Sequence, residues 1–476
     1  MSTELRHDDL IYGIVLLLGI GFGHFYRKIR DISNKKLIGT IYGLSIILFT
    51  SKLQSFHIFI TFFISCIIIK VNERKCHLIV FWFMMGYLLF LRNVTWFGLS
   101  AMVGHANMIQ MIMTLKIIGF AFEKNTVVTK VRDAEKKGEK IELNGYERAL
   151  KESTTFEIFH YCFNYIGLVT GPYYTYKTFY DFFHLPFSKY VDYWKSTLER
   201  LKYVPIYVVL FLTASYIWPL EYASTNEFYE SRSFLYRLFF VWPTFFIFRM
   251  RIYSGIILAE CVCISAGFGA YPKQLNTKCG HGPSEEITKE IIERADKLEY
   301  EFKTIENVDV KSVETCYTFR EAMKHWNKCI QYWLAMYIYK RFPNKKYRVI
   351  ATMLVSSYWH GVHAGYYFCI LGPIFYLPIE DLYLKLFKSE YPQIQQIYNV
   401  CLWILKFFAF SYLGTAFLLK DVKKIWFYYS SVYHFGYIFW AILFIICLVL
   451  WTQKKRAIKR AEKKIEAAIA EDKKEN

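Results

Sequence analysis

The sequence predicts an all-α polytopic membrane protein, with about eleven transmembrane helices. Three observations carry this. The chain has 476 residues, 54% of them hydrophobic, and a mean hydropathy of +0.19. It holds 39 Tyr, 43 Phe and 12 Trp, more aromatic surface than a water-soluble chain of this length accommodates. Apolar runs recur along nearly the whole length, and Lys and Arg collect at their ends rather than within them.

Taken in order, the apolar runs cover residues 10–25, 37–50, 55–69, 77–91, 102–122, 156–170, 203–220, 234–271, 347–383, 397–419 and 425–451. Several are shorter than the roughly 20 residues that span a hydrocarbon core, and so read as re-entrant or as sitting in thinned bilayer. The runs 234–271 and 347–383 are long enough to form two elements each.

Charge sets the expected orientation. The first run is preceded by Glu4, Asp8 and Asp9 against Arg6, and followed by Arg27, Lys28, Arg30, Lys35 and Lys36. That asymmetry predicts a lumenal N-terminus and a cytosolic loop after the first crossing. Alternation then delivers Lys70, Arg74 and Lys75 to the cytosol, followed by the loop 123–153 with its eight Lys and Arg. The tail opening with Lys454, Lys455, Arg456, Lys459 and Arg460 belongs in the cytosol as well, and an odd number of crossings satisfies both ends. The domain reading is a single polytopic unit over 1–453 and a basic cytosolic tail over 454–476.

The net charge of +19 raises nucleic acid as a partner. The cations sit at segment ends instead of forming one stripe interleaved with exposed aromatics, so no nucleic acid is expected, and membrane lipids are. The chain ends Lys473, Lys474, Glu475, Asn476, which resembles the dilysine retrieval signal of endoplasmic-reticulum membrane proteins. No cleavable signal peptide is expected, because the first apolar run lacks a basic start and a small-residue cleavage pattern. The eleven cysteines form no CxxC pair, and Cys279 with His281 is the only loop pairing resembling a ligand fragment. A metal site needs three or four convergent ligands, so neither metal nor cofactor is expected.

Chemistry concentrates around one histidine. His360 lies inside the apolar run 351–373, and a polar side chain at membrane depth costs enough that it marks a functional candidate by default. The stretch 321–340 reads as one helix, the basic turn 341–346 contains Pro343, and a second helix departs from Tyr347. Asn327 lies fourteen residues before Arg341, and His360 fourteen after Lys346. At about 1.5 Å per residue both are then roughly 21 Å from the turn and able to face one another. Gln331 shares the Asn327 face, and Ser356 and His363 share that of His360. Tyr358, Trp359 and Gly361 flank the histidine, the glycine leaving room for close approach. An imidazole at this site can act as a general base on an alcohol, and a carboxamide can orient the ring or donate to an oxyanion.

His24, His57 and His434 read as packed or interfacial histidines. Arg249, Arg251 and Glu260, within an apolar run, should be paired or face a cavity. Lys340, Arg341, Lys345, Lys346 and Arg348 could meet phosphate charges, although the same residues satisfy the topology rule.

The run Tyr358-Trp359-His360-Gly361 and the upstream Trp326-Asn327 resemble the paired histidine and asparagine signature of the membrane-bound O-acyltransferase family. Thr170-Gly171-Pro172-Tyr173-Tyr174, the run 248–272, Gln331-Tyr332-Trp333-Leu334-Ala335 and the run 356–367 are similar to its lysophosphatidylinositol acyltransferase branch. The resemblance covers most of the chain and is loosest before residue 75, in the loops 123–153 and 273–295, and in the tail. It implies many transmembrane helices around a chamber, with acyl-CoA as co-substrate and lysophosphatidylinositol as acceptor at its sn-2 hydroxyl. It implies polyunsaturated donors, arachidonoyl in particular, with His360 as base and Asn327 as its polar partner. Another lysophospholipid, a sterol or a protein acceptor would use the same pair. A transporter is the non-enzyme alternative, but the chain has no internal repeat of the kind such carriers display.

Overall fold

The structure, a computed structural model, describes residues 7–475. Glu4 and Arg6 of the charge argument, and Asn476 of the terminal signal, lie outside the described residues. Helices dominate. Among the described residues, strand pairing is confined to a two-residue antiparallel ladder, Tyr271–Pro272 with Tyr300–Glu301, and an isolated bridge between Lys278 and Gly282. Helix starts follow local chemistry: Asp31 accepts from the Asn34 amide at 2.7 Å to open Ile32–Ser51, and Asn144 and Glu147 form a capping box at Gly145–Lys151.

Six helical stretches among the described residues are long and apolar enough to cross a membrane: Asp8–Tyr26, Ile32–Val71, Tyr193–Ser224, Ala364–Leu386, Pro392–Leu419 and Phe435–Ala467. The shorter apolar helix Cys76–Arg92 adds a seventh candidate. Three apolar runs show how composition and crossing part company.

The run 156–170 is helical only over Thr155–Phe163, and nine residues rise about 13 Å, too little to cross. The backbone beyond it is buried and irregular, with Gly167 and Gly171 at positive φ. Side chains serve carbonyls at the helix end and just beyond it: the fully buried Lys116 amine reaches the oxygens of Tyr161 and Ile166 at 3.4 Å each, and the Tyr174 hydroxyl donates to Ile166 at 2.7 Å. Irregular backbone in an apolar setting is tolerated only where protein supplies such partners. The run 347–383 forms two helices, Arg348–His360 and Ala364–Leu386, as its length predicts. The run 425–451 is interrupted where Tyr433 and His434 both adopt positive φ, leaving Val422–Ser431 and Phe435–Glu475.

By contacts the chain divides into two compact units. The first comprises the described part of Met1–Glu221 with Phe246–Val310 and Lys324–Val362. Its spine is the helix Gly104–Lys137, buried along most of its length, against which both Cys76–Arg92 and Ser55–Val71 pack. The second comprises Tyr222–Phe245, Lys311–Met323 and the described part of His363–Asn476. There Ala364–Leu386 packs on Pro392–Leu419 and on Phe435–Glu475. Its buried charges close helix ends: Glu380 accepts from the amides of Phe319 and Arg320 at 2.6 and 3.0 Å, and Lys406 donates to the carbonyl of Cys316 at 2.8 Å. Phe435–Glu475 passes through Lys454 without a break.

Candidate active site

Asn327 does not lie within a continuous helix. The expected helix over 321–340 is broken into Phe319–His325 and Lys328–Leu334, followed by a π-helical turn at Ala335–Tyr339. The break is Asn327 itself, in the left-handed conformation with φ 49° and ψ 46°. Asparagine tolerates that region better than most residues. Its carbonyl accepts from the Gln331 amide at 2.9 Å, opening the following helix. Neighbours fix the turn. The Lys328 amide donates to the Asn307 carbonyl at 2.8 Å, and the Cys329 amide to Asn307 Oδ1 at 3.1 Å. Gln331 Nε2 donates to the Trp326 carbonyl, and the Trp326 ring lies 5.5 Å from that of Tyr253.

His360 is the last residue of Arg348–His360, and Gly361 ends that helix with its amide on the Ser357 carbonyl at 3.1 Å. The histidine is half-buried at a helix terminus, and so is not part of one uninterrupted span over 351–373. Three contacts hold this end. The Tyr358 hydroxyl donates to the Met85 carbonyl at 2.9 Å, and the buried Trp359 indole to the Met111 carbonyl at 3.2 Å. The Arg92 guanidinium donates to the carbonyls of both Tyr358 and Trp359. A cation against the last carbonyls of a helix complements its dipole. The Trp359 ring stands edge-on to the His360 imidazole at 4.9 Å.

Depth counted at a uniform rise does not survive these details, because the left-handed turn and the π turn both change the rise between Asn327 and Arg341. What the structure places in one unit is two polar residues, each at a helix end and each braced by neighbours. Gln331 is one turn from Asn327 with its amide engaged at the break. Ser356 is half-buried one turn before His360. The polar tips of Tyr358 and Trp359 hold the histidine's helix to Cys76–Arg92 and Gly104–Lys137. The turn 341–347 is largely exposed; Arg341 donates to Thr126 Oγ1 at 3.0 Å, and Arg348 covers the Tyr339 ring at 4.2 Å.

The remaining motifs pack around the asparagine's helix. The Tyr173 hydroxyl donates to that of Tyr337 at 3.2 Å, and Trp333 to the Leu115 carbonyl at 3.0 Å. His281 Nδ1 lies 2.7 Å from the Tyr332 hydroxyl, and burial, reinforced by the charges of Lys177, Lys278 and Lys340, lowers the His281 pKa to about 4. His24 and His57 bond to the hydroxyls of Tyr193 and Tyr87 at 2.6 and 2.9 Å, as packed histidines should. Arg251 pairs with Asp9, and Glu260 with Arg200.

A model of the membrane-bound O-acyltransferase family matches residues 39–420. The chain belongs to the membrane-bound O-acyltransferase family. Three relatives share the name membrane-bound acylglycerophosphatidylinositol O-acyltransferase. The one from Drosophila melanogaster is 47% identical over 94% of this chain and 94% of its own length. That from Xenopus laevis is 36% identical over 97% and 98%, and that from Homo sapiens 33% over 90% and 90%. Both Asn327 and His360 of this O-acyltransferase fall within the matched region. Arg92 and Asn307, which brace them, went unseen in the sequence: one follows an apolar run, where any cation reads as a flanking charge, and the other sits in a loop with no pattern.

Proposed function

We propose that this O-acyltransferase moves an acyl chain from acyl-CoA to the sn-2 hydroxyl of lysophosphatidylinositol. Polyunsaturated chains such as arachidonoyl would be the preferred donors, and the reaction would serve phospholipid remodelling in the endoplasmic-reticulum membrane. The observation that carries the reading is near full-length likeness to three proteins named as acylglycerophosphatidylinositol O-acyltransferases.

The site residues supply a direct mechanism. His360 removes the proton from the glycerol hydroxyl as its oxygen attacks the thioester carbonyl, a general-base step worth about 10²–10⁴ in rate. The tetrahedral intermediate carries its charge on the former carbonyl oxygen, where the Asn327 amide N–H can donate. Collapse breaks the carbon–sulfur bond, and the coenzyme A thiolate takes the proton from the imidazolium. No acyl-enzyme forms, and each proton is accounted for by one histidine. The lumenal N-terminus and cytosolic tail belong to the same proposal and are tested by protease protection of terminal tags in sealed microsomes.

The deciding experiment is acyl transfer from arachidonoyl-CoA to lysophospholipids that differ only in head group, comparing the wild type with His360→Ala. Transfer by wild type alone, with lysophosphatidylinositol leading, supports the reading. Preference for another head group refutes the acceptor, and an active, folded His360→Ala protein refutes the base.

A further inference from the structure

Glu260 is buried in the helix Val241–Ser265. Its Oε1 accepts from the amides of Asn307 and Val308 at 2.6 and 3.1 Å, and its Oε2 is paired with Arg200. Arg200 also reaches Glu306 at 3.0 Å, and Glu306 pairs with the Lys328 amine. Two routes therefore run from this carboxylate to the turn at Asn327. One is backbone: Glu260 holds Asn307, whose carbonyl and side-chain oxygen receive the amides of Lys328 and Cys329. The other is a chain of alternating charges ending on Lys328, the residue next to Asn327.

The arrangement is balanced, with two carboxylates and two cations, so each buried charge is compensated. It also bears on an unfavourable local conformation. A left-handed residue other than glycine persists only where its surroundings over-determine it, and the first two amides after Asn327 are both fixed by Asn307.

We propose that Glu260 is a positioning residue for Asn327, holding the left-handed turn that presents the carboxamide. The proposal rests on the reading above, in which Asn327 serves acyl transfer. Glu260→Gln keeps an acceptor for the two backbone amides but weakens the charge route. Its expected effect is about a tenfold fall in kcat, with KM for both substrates within about twofold. Asn307→Asp keeps the side-chain acceptor and should retain most activity, whereas Asn307→Leu should lose kcat in the same way.

The test is a double-mutant cycle with the full-length protein in detergent or nanodiscs. It measures turnover by product mass spectrometry for wild type, Glu260→Gln, Asn327→Ala and the double variant. A positioning role predicts that Glu260→Gln costs activity only while Asn327 is present, so the double variant matches Asn327→Ala. An equal fractional loss in both backgrounds overturns the proposal. So does a rise in KM without a fall in kcat, or an Asn307→Asp variant as impaired as Asn307→Leu. Full activity in Asn327→Ala refutes the role of Asn327 instead, an outcome visible in a different corner of the cycle.

Discussion

Arg92, the last residue of Cys76–Arg92, donates its guanidinium to the main-chain carbonyl of Trp359, the residue immediately before His360. The histidine's place at a helix end is thus set from a helix distant in sequence. Arg92→Met removes the donors while keeping much of the stem, and the end of Arg348–His360 loses its fixed partner. With His360 as the proposed base, small misplacements cost about 10²-fold, so kcat should fall by about 10- to 100-fold. Arg92→Lys should recover little, because one ammonium cannot reproduce the planar fork. Steady-state kinetics on the purified variants checks both.

At Asn327 the side chain and the backbone can be tested apart. Asn327→Gly accepts the left-handed turn without strain and removes only the carboxamide. It should fold as wild type does and lose most turnover. Asn327→Ala loses the same group but should also unfold more readily, by about 1 kcal/mol, because alanine resists this region. Thermal unfolding in detergent beside activity separates the two; equal stability of the glycine and alanine variants would contradict the argument.

Gly43 lies in Ile32–Ser51 against the end of Thr155–Phe163. A Cβ there would collide with the carbonyl oxygen of Phe163 and come within 2.8 Å of the Tyr165 amide. Both are backbone atoms, so relief requires moving a helix. Gly43→Ala should destabilise the protein by about 3 kcal/mol. Gly13, with nothing within 4 Å of a built Cβ, is the control, and Gly13→Ala should be neutral or slightly stabilising.

The loop carrying His281 should loosen in acid. Its pKa is lowered from 6.5 to about 4 by burial and by nearby lysines, so the native state holds the imidazole neutral while an opened loop can protonate it. Stability from this group is complete above pH about 6.5 and is lost as pH falls toward 4. Protection factors across 273–295, taken relative to intrinsic exchange at each pH, should therefore fall between pH 7 and pH 5 in wild type, and much less in His281→Gln. The same pH response in both would remove His281 as its cause.

Much of the fold was legible in the sequence, and the exceptions have local causes. Runs such as 10–25 and 397–419 became helices because their apolar residues face lipid or other helices, and either destination asks for the same composition. The run 156–170 misleads for that reason: from His160 to Val169 its side chains are buried in protein, and its backbone polarity is handled in part by Lys116 and Tyr174. The residue pair Asn327 and His360 was visible as polar groups in apolar surroundings. Their placement at helix ends was not, because one asparagine in a helical pattern does not by itself mark a break, and the amides after its left-handed turn are held by Asn307, twenty residues earlier. Glu260 was expected to be paired, but its partner Arg200 lies sixty positions away, beyond any local pattern.

The contacts of Lys116 with the Ile166 carbonyl and the Tyr174 hydroxyl also bear on biosynthesis. A stretch in which the Ile166 carbonyl is shared between its own Tyr174 hydroxyl and the amine of another helix is not a finished unit in lipid. It needs its partner to be in place when it leaves the insertion machinery. The order of synthesis provides for this, since Lys116 and the helix Gly104–Lys137 precede it from the ribosome. A permuted chain that made 164–175 before that helix would present the membrane with an apolar segment and no cradle, and would be a substrate for quality control rather than a slow folder.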